Sequence, residues 1–125
     1  AAPPTDLRLV TDESKSYYWA DLRIADETRL ATCDLRLADD VLTIISDNIA
    51  GVELTLEELP IPDEGGMSLA VRSAEELTVV LTGLPASASV KCPGGWAKVV
   101  PGEAADALTL RIEASPEARS FRIAY

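Results

Sequence analysis

The reading of this chain turns on the stretch Tyr17-Tyr18-Trp19-Ala20-Asp21-Leu22-Arg23-Ile24-Ala25. It holds two of the three Tyr and one of the two Trp, and it alternates with a period of two. On a strand, successive side chains point to opposite sides. The spacing therefore places Tyr18, Ala20, Leu22 and Ile24 on a core-directed face and Tyr17, Trp19, Asp21 and Arg23 on an outward one. The outward face joins aromatic surface to one charge of each sign, which makes its four residues candidates for contact with a partner or ligand.

The same rhythm runs through the rest of the chain. Leu7 and Leu9 alternate with polar neighbours, as do Ala31, Cys33, Leu35 and Leu37, then Val52, Leu54 and Leu56. In the second half the apolar phases are Met67, Leu69 and Val71; Leu77, Val79 and Leu81; Leu108, Leu110 and Ile112; and Phe121, Ile123 and Tyr125. Turn residues such as Asp39-Asp40, Asp47-Asn48 and Gly65-Gly66 separate the runs. Pro93-Gly94-Gly95 has the look of a tight hairpin with Trp96 just past it. Residues 56–59 also fit a short helical turn, which Pro60 and Pro62 would end. The pattern predicts one all-β domain over residues 1–125, an immunoglobulin-like antiparallel β-sandwich of about nine or ten strands. The marks of a true immunoglobulin domain are missing, because no Trp follows Cys33 at short distance.

Composition narrows the chemistry. The formal charge is −10, from 21 acidic and 11 basic residues, with no local Lys/Arg run to offset it. That field repels a nucleic-acid backbone or an anionic membrane, so neither is expected as a partner. No apolar run approaches the ~20 residues of a membrane helix. The first residues, Ala1-Ala2-Pro3-Pro4, lack the pattern of a signal peptide and read as the start of a mature chain or excised module. The chain contains no His. This removes the usual general base at neutral pH, the Ser-His and Cys-His nucleophile arrangements, and the commonest metal ligand. Gly66-Met67-Ser68-Leu69-Ala70 falls one residue short of a nucleophile elbow and begins a strand-like segment.

Carboxylates pair at Asp26-Glu27, Asp39-Asp40, Asp63-Glu64 and Glu75-Glu76, all in turn-like segments where solvated acids are ordinary. They lack EF-hand spacing, and no metal or cofactor is expected. Cys33 and Cys92 both fall on apolar phases. They are either buried thiols or a single disulfide, which in a secreted module would add about 4 kcal/mol. Trp96 joins Tyr17 and Trp19 as a ring that could stack on a sugar beside Asp21 and Arg23, in competition with plain packing.

Tyr18-Trp19-x-x-Leu22, followed by Asp47-Asn48-Ile49-x-x-Val52-x-Leu54, resembles the C-terminal β-sandwich appended to some secreted bacterial α/β-hydrolases, the prolyl-oligopeptidase-like peptidases and esterases. The similarity runs from the N-terminus to about Pro85. In such enzymes the catalytic residues belong to the hydrolase domain, so none is carried over here. The resemblance implies an extracellular or periplasmic accessory module that packs on a catalytic or structural domain of the same or another chain. The sequence expectation is thus a non-catalytic interaction module. A polysaccharide-binding module using the exposed aromatics is the alternative, and a small carboxylate-based hydrolase is a weaker one.

Overall fold

The computed structural model describes residues 5–62, 64–101 and 107–125. The alternating runs form twelve strands: β1 (Asp6–Thr11), β2 (Lys15–Tyr17), β3 (Ala20–Ile24), β4 (Ala31–Ala38), β5 (Val41–Asp47), β6 (Ile49–Thr55), β7 (Met67–Ser73), β8 (Leu77–Thr82), β9 (Ser89–Lys91), β10 (Ala97–Val99), β11 (Ala107–Ile112) and β12 (Ser115–Ala124). A 3₁₀ turn, Leu56–Glu58, sits where the helical turn was expected. The strands make two six-stranded sheets, β1-β4-β5-β7-β12-β9 and β10-β11-β8-β6-β3-β2. Each sheet turns one face inward. Ile44, Leu69 and Ile123 from the first sheet and Leu54, Val79 and Leu110 from the second are all shut off from solvent in one core. Period-two burial on strands such as β3 and β4 shows that the alternation read from sequence is the core pattern.

Three expectations need correction. The sheets are mixed rather than antiparallel, because β5 pairs with β7 and β6 with β8 in parallel. From β5 the chain crosses to the other sheet for β6, returns for β7 and crosses again for β8, so each returning strand runs in the direction of the one it joins. The crossover that a parallel pair requires is here a strand of the opposite sheet. These central parallel pairs depart from the antiparallel strand order of an immunoglobulin domain. The described residues hold twelve strands rather than nine or ten; β2, β9 and β10 are three-residue edge strands, and β2 is parted from β3 by a turn inside the stretch read as one strand. Finally, residues 92–95 do turn, with the Gly95 N–H donating to Cys92 O at 3.2 Å. The turn leads from β9 in one sheet to β10 in the other, so no hairpin forms there.

The connections gather at two ends. One end carries Asn48, residues 25–30, residues 74–76 and the 92–96 turn. The opposite end carries Tyr18-Trp19, the Asp39-Asp40 turn, residues 56–62 and residues 83–88. At this second end Gly66 has φ +113 and its Cα faces the Ile123 carbonyl, where any Cβ would collide with the oxygen. Only Gly lets β7 begin so close to β12.

Candidate functional site

The aromatic stretch is not one strand. β2 ends at Tyr17 and β3 starts at Ala20, with Tyr17 opposite Ala20, so Tyr18-Trp19 is a two-residue hairpin turn. Opposed residues share a face, and the turn therefore resets the phase of the alternation. Trp19 is 1% exposed and part of the core, whereas Tyr18 is 74% exposed. The expectation placed them the other way round. Ala20, Leu22 and Ile24 are buried and Asp21 and Arg23 exposed, as expected, because those residues lie beyond the turn. Trp19 is fixed further by its carbonyl, which accepts the Thr55 N–H at 2.8 Å. Tyr17 is half-buried against the core, with the Lys15 ammonium 5.6 Å above its ring. Tyr18 has φ 51. Two-residue hairpins ordinarily place Gly, Asn or Asp at such positions, and a bulky side chain there costs roughly 1–2 kcal/mol.

Asp21 and Arg23 lie on the outer face of the second sheet. Register sets Arg23 beside Gly51, and Thr78 beyond it; Asp21 stands beside Glu53, with Val80 beyond. The Arg23 guanidinium lies along the sheet in the room left by Gly51, where a Cβ would be 3.0 Å from Nη2. Together these side chains border a shallow depression of about 240 Å³. Two carboxylates stand directly opposite one another there, an unfavourable cross-strand pair, and no aromatic ring lines it.

Trp96 lies elsewhere. It directly precedes β10, which is four strand positions from β3 in the sheet, about 19 Å at ~4.8 Å per step. The half-buried indole meets Phe121 edge-on, with centroids 5.4 Å apart and planes at 81°. The Arg119 guanidinium covers it at 4.4 Å while its Nη2 donates to Glu113 O at 2.8 Å. Trp19 and Trp96 therefore form no common platform. The polysaccharide site drawn from Tyr17, Trp19, Trp96, Asp21 and Arg23 is split between the core and two separate surfaces.

Cys33 and Cys92 are not bridged. Cys33 is on β4 and Cys92 just past β9, four strand positions apart in their sheet, about 19 Å against the ~7 Å limit between Cα atoms of a disulfide. Burial pushes the Cys33 thiol up to about 12, and the neighbouring Asp34 carboxylate adds to the shift.

Four of the paired carboxylates, Asp26, Asp40, Glu75 and Glu76, tie turns to neighbouring segments. Asn48, with φ 62 and no exposure, is the hub of one such tie. Its Oδ1 accepts the Asp26 N–H at 2.8 Å and Arg29 Nη2 at 3.3 Å; its Nδ2 donates to Asp26 O at 2.8 Å and Arg29 O at 3.1 Å. Its own N–H donates to Glu75 Oε1 at 2.8 Å. Arg29 completes the ring with ion pairs to Asp26 at 3.6 Å and Glu75 at 3.7 Å. Hydrogen bonds from Thr28 hold the Asp26 carboxyl below its usual range. At the far end Arg122 Nη1 donates to Asp40 Oδ2 at 2.9 Å and to Ser68 Oγ at 3.2 Å, which likewise lowers the Asp40 carboxyl. Asp63 lies outside the described residues. Among those described, no group of three or more His, Cys, Asp or Glu could hold a metal ion.

One surface was not foreseen from sequence. Beside the Tyr18 turn, a cleft of about 230 Å³ runs between the 3₁₀ turn and the loop after β8, lined by Leu56, Leu59, Ile61, Pro62, Gly83 and Pro85 with Glu57 at its rim. The Thr82 hydroxyl donates to Glu57 Oε1 at 2.9 Å and fixes the carboxylate there. Pro60 and Pro62 were legible as the end of the segment; the cleft floored by the buried Leu56 and Leu59 was not. The chain matches no family model, no curated protein and no solved structure. No helix among the described residues is long and apolar enough to cross a membrane.

Proposed function

We propose that this chain is a non-catalytic interaction module of a larger extracytoplasmic protein, and that it holds its partner domain with the Tyr18 end. Tyr18 carries this reading. The turn spends its one buried aromatic, Trp19, on the core, and presents the other in a backbone conformation that disfavours it. A Tyr that costs local free energy and adds nothing to the core is accounted for by what it touches outside. The resemblance to hydrolase-appended sandwiches supplies the kind of partner, an α/β-hydrolase domain.

The test is a photo-cross-linking residue at position 18, placed in the intact parent protein. Cross-links to the neighbouring domain are expected. Equal solvent accessibility of position 18 in the parent protein and in the isolated chain would overturn the proposal, and so would turnover of glycosides or esters by the isolated chain.

A further inference from the structure

The two sheets end in four edge strands, β1, β2, β9 and β10. Three of them are three residues long and each carries a Lys: Lys15 on β2, Lys91 on β9 and Lys98 on β10. Short strands and lysines are ordinary means of keeping an edge from pairing with another chain. β1 has neither. It runs six residues, Asp6-Leu7-Arg8-Leu9-Val10-Thr11, without Lys, Pro or Gly, and meets β4 in an unbroken register. One step before the Asp6–Arg36 pair, the Leu37 N–H donates to Thr5 O at 2.8 Å. Hydrogen-bonded pairs alternate along an antiparallel ladder, so Leu7, Leu9 and Thr11 likewise turn their backbone groups to β4. Those of Asp6, Arg8 and Val10 point the other way, where no described residue takes them. The edge also keeps apolar surface open: Val10 is exposed and Leu9 only half-buried.

We infer that β1 pairs with β1 of a second copy of this chain, antiparallel about a two-fold axis, joining their sheets edge to edge. The charges select the register. Because the outward backbone groups belong to residues 6, 8 and 10, a symmetric ladder has few choices. Centred on Asp6 or Arg8, it sets that residue against its own copy, and like charges directly opposite are unfavourable. Centred on Leu9 or Val10, it carries Asp6 past Thr11 of the opposing strand, where the chain bends away. Centred on Leu7, it sets Asp6 opposite Arg8 of the second copy and, by symmetry, Arg8 opposite the second copy's Asp6. Both pairs exchange backbone hydrogen bonds, Leu7 meets its own copy at the axis, and Thr5 of each chain covers the other's Leu9. The Arg8 side chain is 84% exposed beside Asp34, with room to reach a second carboxylate. Pro4 has no N–H to donate, which ends the ladder there. A ladder this short falls below the ~1,200 Å² of a standard interface, and each copy carries a charge of −10, so the dimer is a weak one. It is independent of the Tyr18 reading, which concerns a different surface.

The test is self-association of the chain, followed by sedimentation equilibrium and amide chemical shifts between about 0.05 and about 1 mM. Concentration-dependent shifts are expected at residues 5–10, together with an Hα–Hα contact between Leu7 of a labelled copy and Leu7 of an unlabelled one. D6R and R8D each set like charges opposite one another and should weaken the dimer about tenfold. The charge swap D6R/R8D restores the opposite pairs and should recover most of that loss. Circular dichroism checks that each variant keeps its β structure, and the concentration dependence of the unaltered chain needs no variant. A chain that stays monomeric to the top of the range overturns the inference. So does a dimer whose shifts fall on β2, β9, β10 or an outer sheet face, or a charge swap as weak as the single variants. None of these results bears on position 18, whose cross-linking test stands separately.

Discussion

The two ends of the sandwich are held by different means. At the Asn48 end one buried amide meets three backbone groups of residues 26–29 and ties them through Glu75 to the β7–β8 turn, so the connections there are locked to each other. At the Tyr18 end the anchor is apolar. Trp19 is sunk in the core, Leu56 and Leu59 floor a cleft, and the charges at the rim mostly face water. A buried polar network fixes one arrangement because any change leaves groups unpaired. At the Tyr18 end no buried network of this kind spans the described connections; the cleft is floored by buried Leu56 and Leu59 and edged by Glu57. The difference teaches that the first end holds its connections through polar pairing, whereas the second relies on the buried Trp19 and leaves most of its rim charges in solvent.

The largest effect should come from breaking the polar end. Asn48→Ala removes the side-chain partners of the Asp26 N–H and carbonyl, empties a fully buried position and puts Ala at φ 62. With about 1–3 kcal/mol per orphaned group, the loss should be about 3–5 kcal/mol by denaturant titration. A loss under ~1 kcal/mol would show that the hub does not hold that end. At the other end, Tyr18→Gly should act in the opposite direction. Relief of the left-handed backbone should stabilise the chain by about 1 kcal/mol, raising Tm by several degrees while abolishing contact with a partner. Destabilisation would mean the ring packs in place.

Smaller effects separate the charged groups. Asp26 and Asp40 have carboxyls held below the ordinary value, so the unfolded chain binds protons more readily than the folded one. Their contribution is complete above about pH 4 and is lost as pH falls through the lowered folded value. Arg122→Ala, at an exposed pair, should leave stability at pH 7 little changed and reduce the acid sensitivity of the unfolding midpoint. Cys33 works on the alkaline side. Its folded value is raised to about 12, so the stability it lends is complete below the ordinary thiol value and is lost as pH rises toward 12. Titration with a thiol reagent at pH 8 should find Cys92 reacting rapidly, with Cys33 reacting only after denaturation. Two equally fast thiols would contradict the burial of β4.

Much of the fold was legible because period-two patterning is a local signal. Leu69 and Val71, Leu77 and Val79, and Leu110 and Ile112 all read correctly as core. What was not legible depended on two-residue events or on distance along the chain. The Tyr18-Trp19 turn carries no Gly, Asn or Pro, so nothing announced that the alternation restarts at Ala20, and the two most conspicuous rings were assigned to the wrong sides. Asn48 read as a turn cue, which it is, but its burial depends on the 25–30 connection folding over it. Asp21 and Arg23 were correctly placed outward, yet their neighbours Glu53, Thr78 and Val80 are set by the parallel β6–β8 pairing, which leaves no local trace. The phase of Cys33 and Cys92 was informative, while their separation in the sheet could not be read from it.

Those parallel pairs also govern how the chain reaches this state. β3–β6 and β4–β5 lie within the first half of the sequence, and β4–β5 closes as a simple hairpin at Asp39-Asp40. Until β7 and β8 exist, the flanks of β5 and β6 carry a full row of unpaired backbone groups beside a half-built core. On a ribosome that nascent half would present two open edges for longer than a meander of hairpins does, since each can be closed only by a strand that has first crossed to the other sheet and back. Refolding in the slow range of small β proteins is expected, with its vulnerable interval between synthesis of Thr55 and synthesis of Thr82.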